Sequence, residues 1–388
     1  MTVHHQQGPR AGTIWQTESN SFTDPNTGAP VRQLTTHPAV VDRHLYFTTD
    51  GWYDDGNRLL CRSDRTGEHE LFSIDLRTDQ LTQLTDLPVP VYNLTRVNET
   101  TNEVYFTQEN TVVALELSTL SVRTVATRPE RCPDTYHLVV DDVLADDERL
   151  LLKASEPMDV TGFDARRAFE PHTELFTVPI DGDEEPTLVH EENCWISHVN
   201  ASPTQPSVFT FCHEGPWDHV DNRIHVRNLA ADTTYRLRET ADDEAVGHEF
   251  WLRDGEHVGY HGWRGSRTDG ERFFGTVRYD DTDRRETPIP VRETHCHAIT
   301  RDRFVCDGST EIQGLLVYEY DEKNDRYRGP RRLATHSWDP SGPHPHARMS
   351  PDGSAVAFDG DPTSGCDIYL VECPSFDSLA PLEGSVGE

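Results

Sequence analysis

The segment "PSGPHPHARMSPDG", residues 340–353, places two imidazoles, His344 and His346, just ahead of a Ser-Pro-Asp-Gly turn and a run of small apolar residues. Imidazole titrates near neutrality and is a common ligand for Zn, Mn, Fe and Cu. A close pair can therefore hold a metal, accept a proton, or do both. Pro345 and the preceding Gly342-Pro343 make this approach irregular, which lets both rings turn toward one point. The offset recurs: His346 stands four residues before Ser350, His248 four before the turn of "HEFWLRDG", and His198 four before that of "SHVNASP". His297 of "HCHAITRDR" falls in the same register within one residue, and His295 repeats the two-residue spacing of His344 and His346. With 20 histidines in 388 residues, such coincidences of position are not a chance expectation. The alternative reading is a set of unrelated histidines that cap strand ends and bond backbone carbonyls.

These positions belong to a larger repeat. A polar turn, a short apolar strand, a second strand, another turn and a closing strand recur about every 50 residues along the chain. "DDGNRLLCRSDRTGEHELFSIDLRTDQLTQLTD", residues 54–86, is the clearest copy, and "SPDGSAVAFDGDPTSGCDIYLVEC" is the last. That last copy lacks a closing strand, and the N-terminal "TDPNTGAPVRQLTT", residues 23–36, resembles the missing piece. Helical patterns are nearly absent. The repeat predicts an all-β, seven-bladed β-propeller, 1–388, as a single domain with short tails, its ring closed by an N-terminal strand joining the last blade. The first strand of each blade then lines the central channel. Residues just before it converge at one mouth.

Composition narrows the partners. Sixty-eight Asp and Glu against 35 Lys and Arg give a formal charge of −33, which disfavours nucleic acid and anionic membranes. Only Lys153 and Lys323 are lysines, and so acidic a surface with so little lysine suits high salt. No apolar leader or membrane-length run is present, so a cytoplasmic setting is expected. The eight cysteines show no C-x-x-C pair and are expected to be thiols.

One further segment is too polar for core: "FCHEGPWDHVDNRIHVRN", residues 211–228, joins two strands of the fourth blade. Its Arg223 can offer a bidentate fork to a carboxylate. Arg43, Arg264 of "GWRGSR" (262–267) and His198 are further candidate contacts for a substrate.

Taken in order, "CHEGPWDHVDNR" (212–223), "HEFWLRDG" (248–255), "HCH" (295–297) and "HPH" (344–346) with its following "SPDG" resemble the oligogalacturonate lyases, seven-bladed propellers that cleave short galacturonides. The resemblance spans nearly the whole chain. It implies a divalent metal, usually Mn2+, on His297, His344 and His346, with a glutamine as fourth ligand. Ser341 stands where that glutamine is expected, so Ser341, Asp339, His336 or water would complete the set. It implies that His248 is the general base and that Arg223 neutralises the substrate. A homodimer is a family-level expectation.

The residue types suit the reaction. β-Elimination from a 4-linked uronide removes the C5 proton, which is too weakly acidic while the adjacent carboxylate keeps its full charge. A metal and an arginine withdraw that charge, and a neutral imidazole is a competent base near pH 7. Two alternatives remain: a lyase for another uronide, of ulvan or rhamnogalacturonan type, and a non-catalytic TolB-like scaffold. A prolyl-oligopeptidase-type enzyme is excluded by the absence of a G-x-S-x-G motif and a hydrolase domain.

Overall fold

Short apolar runs with period-two alternation, separated by turns rich in Asp, Asn and Gly, can bury one face per strand only by pairing antiparallel. They do so in the computed structural model, which describes residues 4–91, 93–337, 344–360 and 365–382. Seven sheets follow one another along the chain, each starting from a first strand near the axis. These are Asp42–His44, Asn93–Asn98, His137–Val143, Ile196–Ala201, Glu244–Trp251, Cys296–Thr300 and Arg348–Met349. Each sheet then grows outward through successive strands of the same repeat. The expected seven-bladed propeller is the fold.

The core lies between blades rather than on the axis. Val112 and Ala114 of the second blade pack with Leu150, Leu152 and Phe176 of the third. Phe274 of the fifth stacks on Phe304 of the sixth, with ring centroids 3.8 Å apart. Because apolar area is buried there, the channel itself is free to carry polar groups.

The predicted closure is present. Pro30–Gln33 joins Asp367–Glu372 of the last blade, with Val31 opposite Val371. The stitching goes further than the repeat suggested. His4–His5 adds to the outer strand of the second blade, Ile14–Trp15 to the first, and Ala380–Pro381 to the sixth. These additions cover edges that would otherwise expose unpaired backbone groups.

One expectation is corrected. Cys296 and Cys306 are not thiols but a disulfide, while the other six cysteines are free. The hairpin turns on Arg301 and Asp302 alone, with Ile299 bulged, and so sets the two residues directly opposite each other. Sequence spacing does not reveal that register. A seven-residue helix, Phe163–Phe169, also interrupts the third blade and rests against the fourth-blade loop, where Asp164 meets His219 at 3.0 Å.

Leu34, 2% exposed, continues the closing strand, and its backbone N–H bonds the Ile368 carbonyl. Leu34→Ala is expected to lower unfolding stability by about 2–5 kcal/mol. A denaturant midpoint unchanged from wild type would show that the closing strand does not hold the ring.

Candidate active site

Three of the four aligned histidines share an uncommon backbone. His198, His248 and His346 have φ of 48°, 51° and 49°, the left-handed region that non-glycine residues seldom enter. In the fourth and fifth blades the pairing shifts register around His198 and His248, the signature of a β-bulge. Bulges re-aim side chains, and these turn the imidazoles toward the channel mouth. His198 and His248 stack with centroids 6.4 Å apart, and His248 stacks on His295 at 4.3 Å.

Beside His248 lies a group of possible metal ligands. One donor atom each from His295, His344 and His346 lies within 4.8 Å of the other two. Asp307 lies behind them. Its Oδ2 accepts from His295 Nδ1 at 2.8 Å, which leaves Nε2 to face the cluster. The same carboxylate accepts the backbone N–H of His346 at 3.1 Å and of Ala347 at 2.8 Å. Burial, then the neighbouring His295, holds His344 and His346 below the ordinary imidazole pKa. Three imidazoles with a carboxylate behind one of them are the donor set a divalent transition metal takes. The residues fit a metal.

His248 has the form of a base. Its Nδ1 and His261 Nε2 both bond the Thr294 carbonyl, the latter at 2.9 Å. A carbonyl only accepts, so both nitrogens carry hydrogen. The lone pair of His248 is therefore on Nε2. Burial, reinforced by His295, His261, His198 and Arg223, pushes its pKa well below 6.5. The Trp217 ring stands edge-on to His248 at 4.8 Å and lies over Gly247, where a Cβ would come within 2.3 Å of it.

His248 opens onto a cavity of about 240 Å3 whose walls include Trp217, Trp263, Arg267, Arg272 and Arg292. No ion pair is formed by these three arginines among the described residues. Burial and the repulsion of Arg292 and Arg267 lower the Arg272 pKa. Glu293 also lines the wall, but burial pushes its pKa up to about 8, with Tyr318 Oη donating to it at 2.6 Å. The cavity is cationic at neutral pH in a chain of −33.

Comparison with known proteins agrees with this geometry. The sequence profile of the oligogalacturonate lyase family matches residues 12–377. The chain belongs to the oligogalacturonate lyase family. Its curated relatives include an oligogalacturonide lyase of Pectobacterium atrosepticum, 24% identical over 92% of this chain and 96% of that one. An oligogalacturonate lyase of Dickeya dadantii is 23% identical with the same coverage. Among solved structures, an oligogalacturonate lyase in complex with manganese superposes with a TM-score of 0.81, covering 94% of this chain and 98% of that one at 24% identity. The chain is thus a lyase, and the scaffold alternative falls. Among the described residues, no helix is long and apolar enough to cross a membrane.

Within the lyase, several expected residues sit elsewhere. His297 is not in the triad. It lies one rung deeper, 2% exposed, against Phe250, with the Met349 N–H directed at its Nδ1. His295 takes its place. The sixth-blade hairpin has a two-residue turn and its bulge falls after His297, so alignment on the turn points to His297 while the fold groups His295 with His344 and His346. Ser341 and Asp339 lie outside the described residues, and His336 Nε2 bonds the Asp307 carbonyl oxygen at 2.8 Å.

Arg223 is 2% exposed and clamped by Glu214 at 2.6 Å and Glu249 at 3.4 Å. Its fork is filled by protein carboxylates, so it stands behind His248 rather than in the cavity. His198 is likewise behind, 3.5 Å from Glu249 and edge-on to Tyr46. Arg264 is bound by Glu244, Glu271 and Glu286 and is structural. Arg267, three positions past the strand end, is the arginine of that segment that reaches the cavity. Arg43 stands beside His344 and His346, depressing both pKa values.

Asp307→Asn keeps the shape and removes the charge behind His295. It is expected to weaken divalent-metal binding by about 10–100-fold, read by calorimetric titration of the stripped protein.

Proposed function

We propose that this lyase cleaves short, unsaturated oligogalacturonides to 4-deoxy-5-keto-uronate monomers, with His248 as general base and His295, His344 and His346 as metal ligands. The observation that carries the reading is the adjacency of the triad to a neutral His248 at the mouth of a cationic cavity.

A divalent cation on the three imidazoles, manganese by analogy with the similar structure, supplies a Lewis acid for the uronate carboxylate. The remaining work belongs to the chain's own residues. Arg267, Arg272 and Arg292 bind the anionic sugar, and the indole faces of Trp217 and Trp263 bound the cavity. His248 Nε2 accepts the C5 proton. The C5–H electron pair becomes the C4–C5 double bond as the C4–O4 bond breaks, and the departing oxygen takes a proton from solvent. Thr294, by accepting from Nδ1, keeps the reactive tautomer. Arg223 contributes its charge from behind, one of the groups that hold His248 neutral. A cytoplasmic, high-salt setting and a homodimer complete the proposal.

Turnover of unsaturated digalacturonate is expected to vanish on chelation and return with manganese. His248→Ala is expected to lose turnover but keep metal binding, whereas His344→Ala loses both. Metal-independent turnover would overturn the reading, and turnover only on other uronides would redirect it.

The pKa of His248 has a kinetic consequence. A base must be unprotonated, and lowering its pKa extends the unprotonated form to lower pH. The acid limb of kcat/KM is therefore expected below pH 6.5, the ordinary imidazole value. Arg292→Ala is expected to raise KM about tenfold or more through loss of a charge-assisted contact. Arg264→Ala is expected to lower the melting temperature and leave KM unchanged.

A further inference from the structure

A second group of metal donors lies away from the channel, between the third and fourth blades. His190, Glu192 and Cys194 follow one another at every second position along Thr187–Asn193 and its end, and so share one face of the outermost strand of the third blade. His213, the last residue of Val208–His213 in the fourth blade, points at that face. Its Nε2 lies 3.0 Å from Glu192 Oε1, and donor atoms of Glu192, Cys194 and His213 all fall within 4.8 Å of one another. Behind the ring, His213 Nδ1 bonds Asp221 Oδ1 at 2.9 Å. This is the carboxylate–imidazole arrangement that orients metal-binding histidines. His190 Nε2 lies 3.3 Å from Glu192 Oε1 and is buried without a hydrogen bond.

We infer that Glu192, Cys194 and His213 form a zinc site at the joint of the third and fourth blades, with water as fourth donor. One thiolate, imidazole and carboxylate together suit Zn2+, whose ligands sit about 2.0–2.3 Å from the ion. The site is chemically distinct from the His295–His344–His346 triad, which has no sulfur. Zinc binding displaces the Nε2 proton of His213 and the Sγ proton of Cys194, and both leave to solvent. The ion would tie the outermost strand of one blade to the residue that opens the 213–223 segment, which carries Trp217 to the cavity. That link does not depend on the lyase reading.

The test uses the full chain stripped of metal and titrated with Co2+ and, separately, with Zn2+. Thiolate ligation gives cobalt a near-ultraviolet charge-transfer band that an all-histidine site cannot produce. The band is expected in wild type and in His344→Ala, and is expected to be absent in Cys194→Ser, which should also bind one Zn2+ fewer per chain. Asp221→Asn, which removes no ligand, is expected to weaken zinc binding at this site by about 10–100-fold. Circular dichroism checks that each variant is folded. No band in wild type, or a band that survives Cys194→Ser, overturns the site.

Discussion

The active site hangs on one buried carboxylate. Asp307 is fully buried and sits on Arg303–Gly308 of the sixth blade, yet most of what it holds belongs to the approach to the seventh. It takes the His295 ring on one side and the amides of His346 and Ala347 on the other. Burial raises a carboxyl pKa, but here His295 and the Ala347 amide more than offset it, so the group stays ionised. A buried charge is tolerable only when its lone pairs are filled, and these are filled by the elements that must be held in place. Two blades are thereby locked in a relative position that sets three imidazoles around one point. The protein's own hydrogen bonds hold this donor set together.

Backbone strain is the second device. A non-glycine residue in the left-handed region costs of order 1–3 kcal/mol, and the propeller accepts it at His198, His248 and His346. Local bonds hold each in place. Asn200 Nδ2 donates to the His198 carbonyl at 2.9 Å, Thr294 anchors the His248 ring, and Asp307 anchors the His346 amide. A bulge in the first strand is a small change to a blade, because the inter-blade cores lie farther out. The ring can therefore carry several bulges at its mouth without losing its packing.

This division explains what could be read from the sequence. Blade number, ring closure and the gathering of His248 and His346 at one mouth were legible because they follow a repeat with a fixed offset from a turn, and local sequence sets the turns. Where a turn changes length the offset misleads, as at Arg301-Asp302, where His295 and not His297 reaches the triad and Cys296 meets Cys306. Charge was less legible than position. Arg223, Arg264 and the cavity arginines look alike in sequence, and what separates them is which carboxylates the fold brings to each one. Glu214 and Glu249 close on Arg223, and Glu244, Glu271 and Glu286 on Arg264. Asp307, one of 68 acidic residues, carries no local signal at all.

The placement of charge also constrains how a substrate is recognised. A chain of −33 repels a dianionic sugar at long range, so electrostatic steering cannot bring the two together. Salt shortens the reach of that repulsion to about 10 Å at 0.1 M and about 3 Å at 1 M. Direct contacts within the cavity span no more than this. The arginines at its wall therefore keep their attraction while the acidic exterior loses its opposition. Recognition is left to short, direct contacts, and an acidic exterior and an anionic substrate are compatible because the two act over different distances.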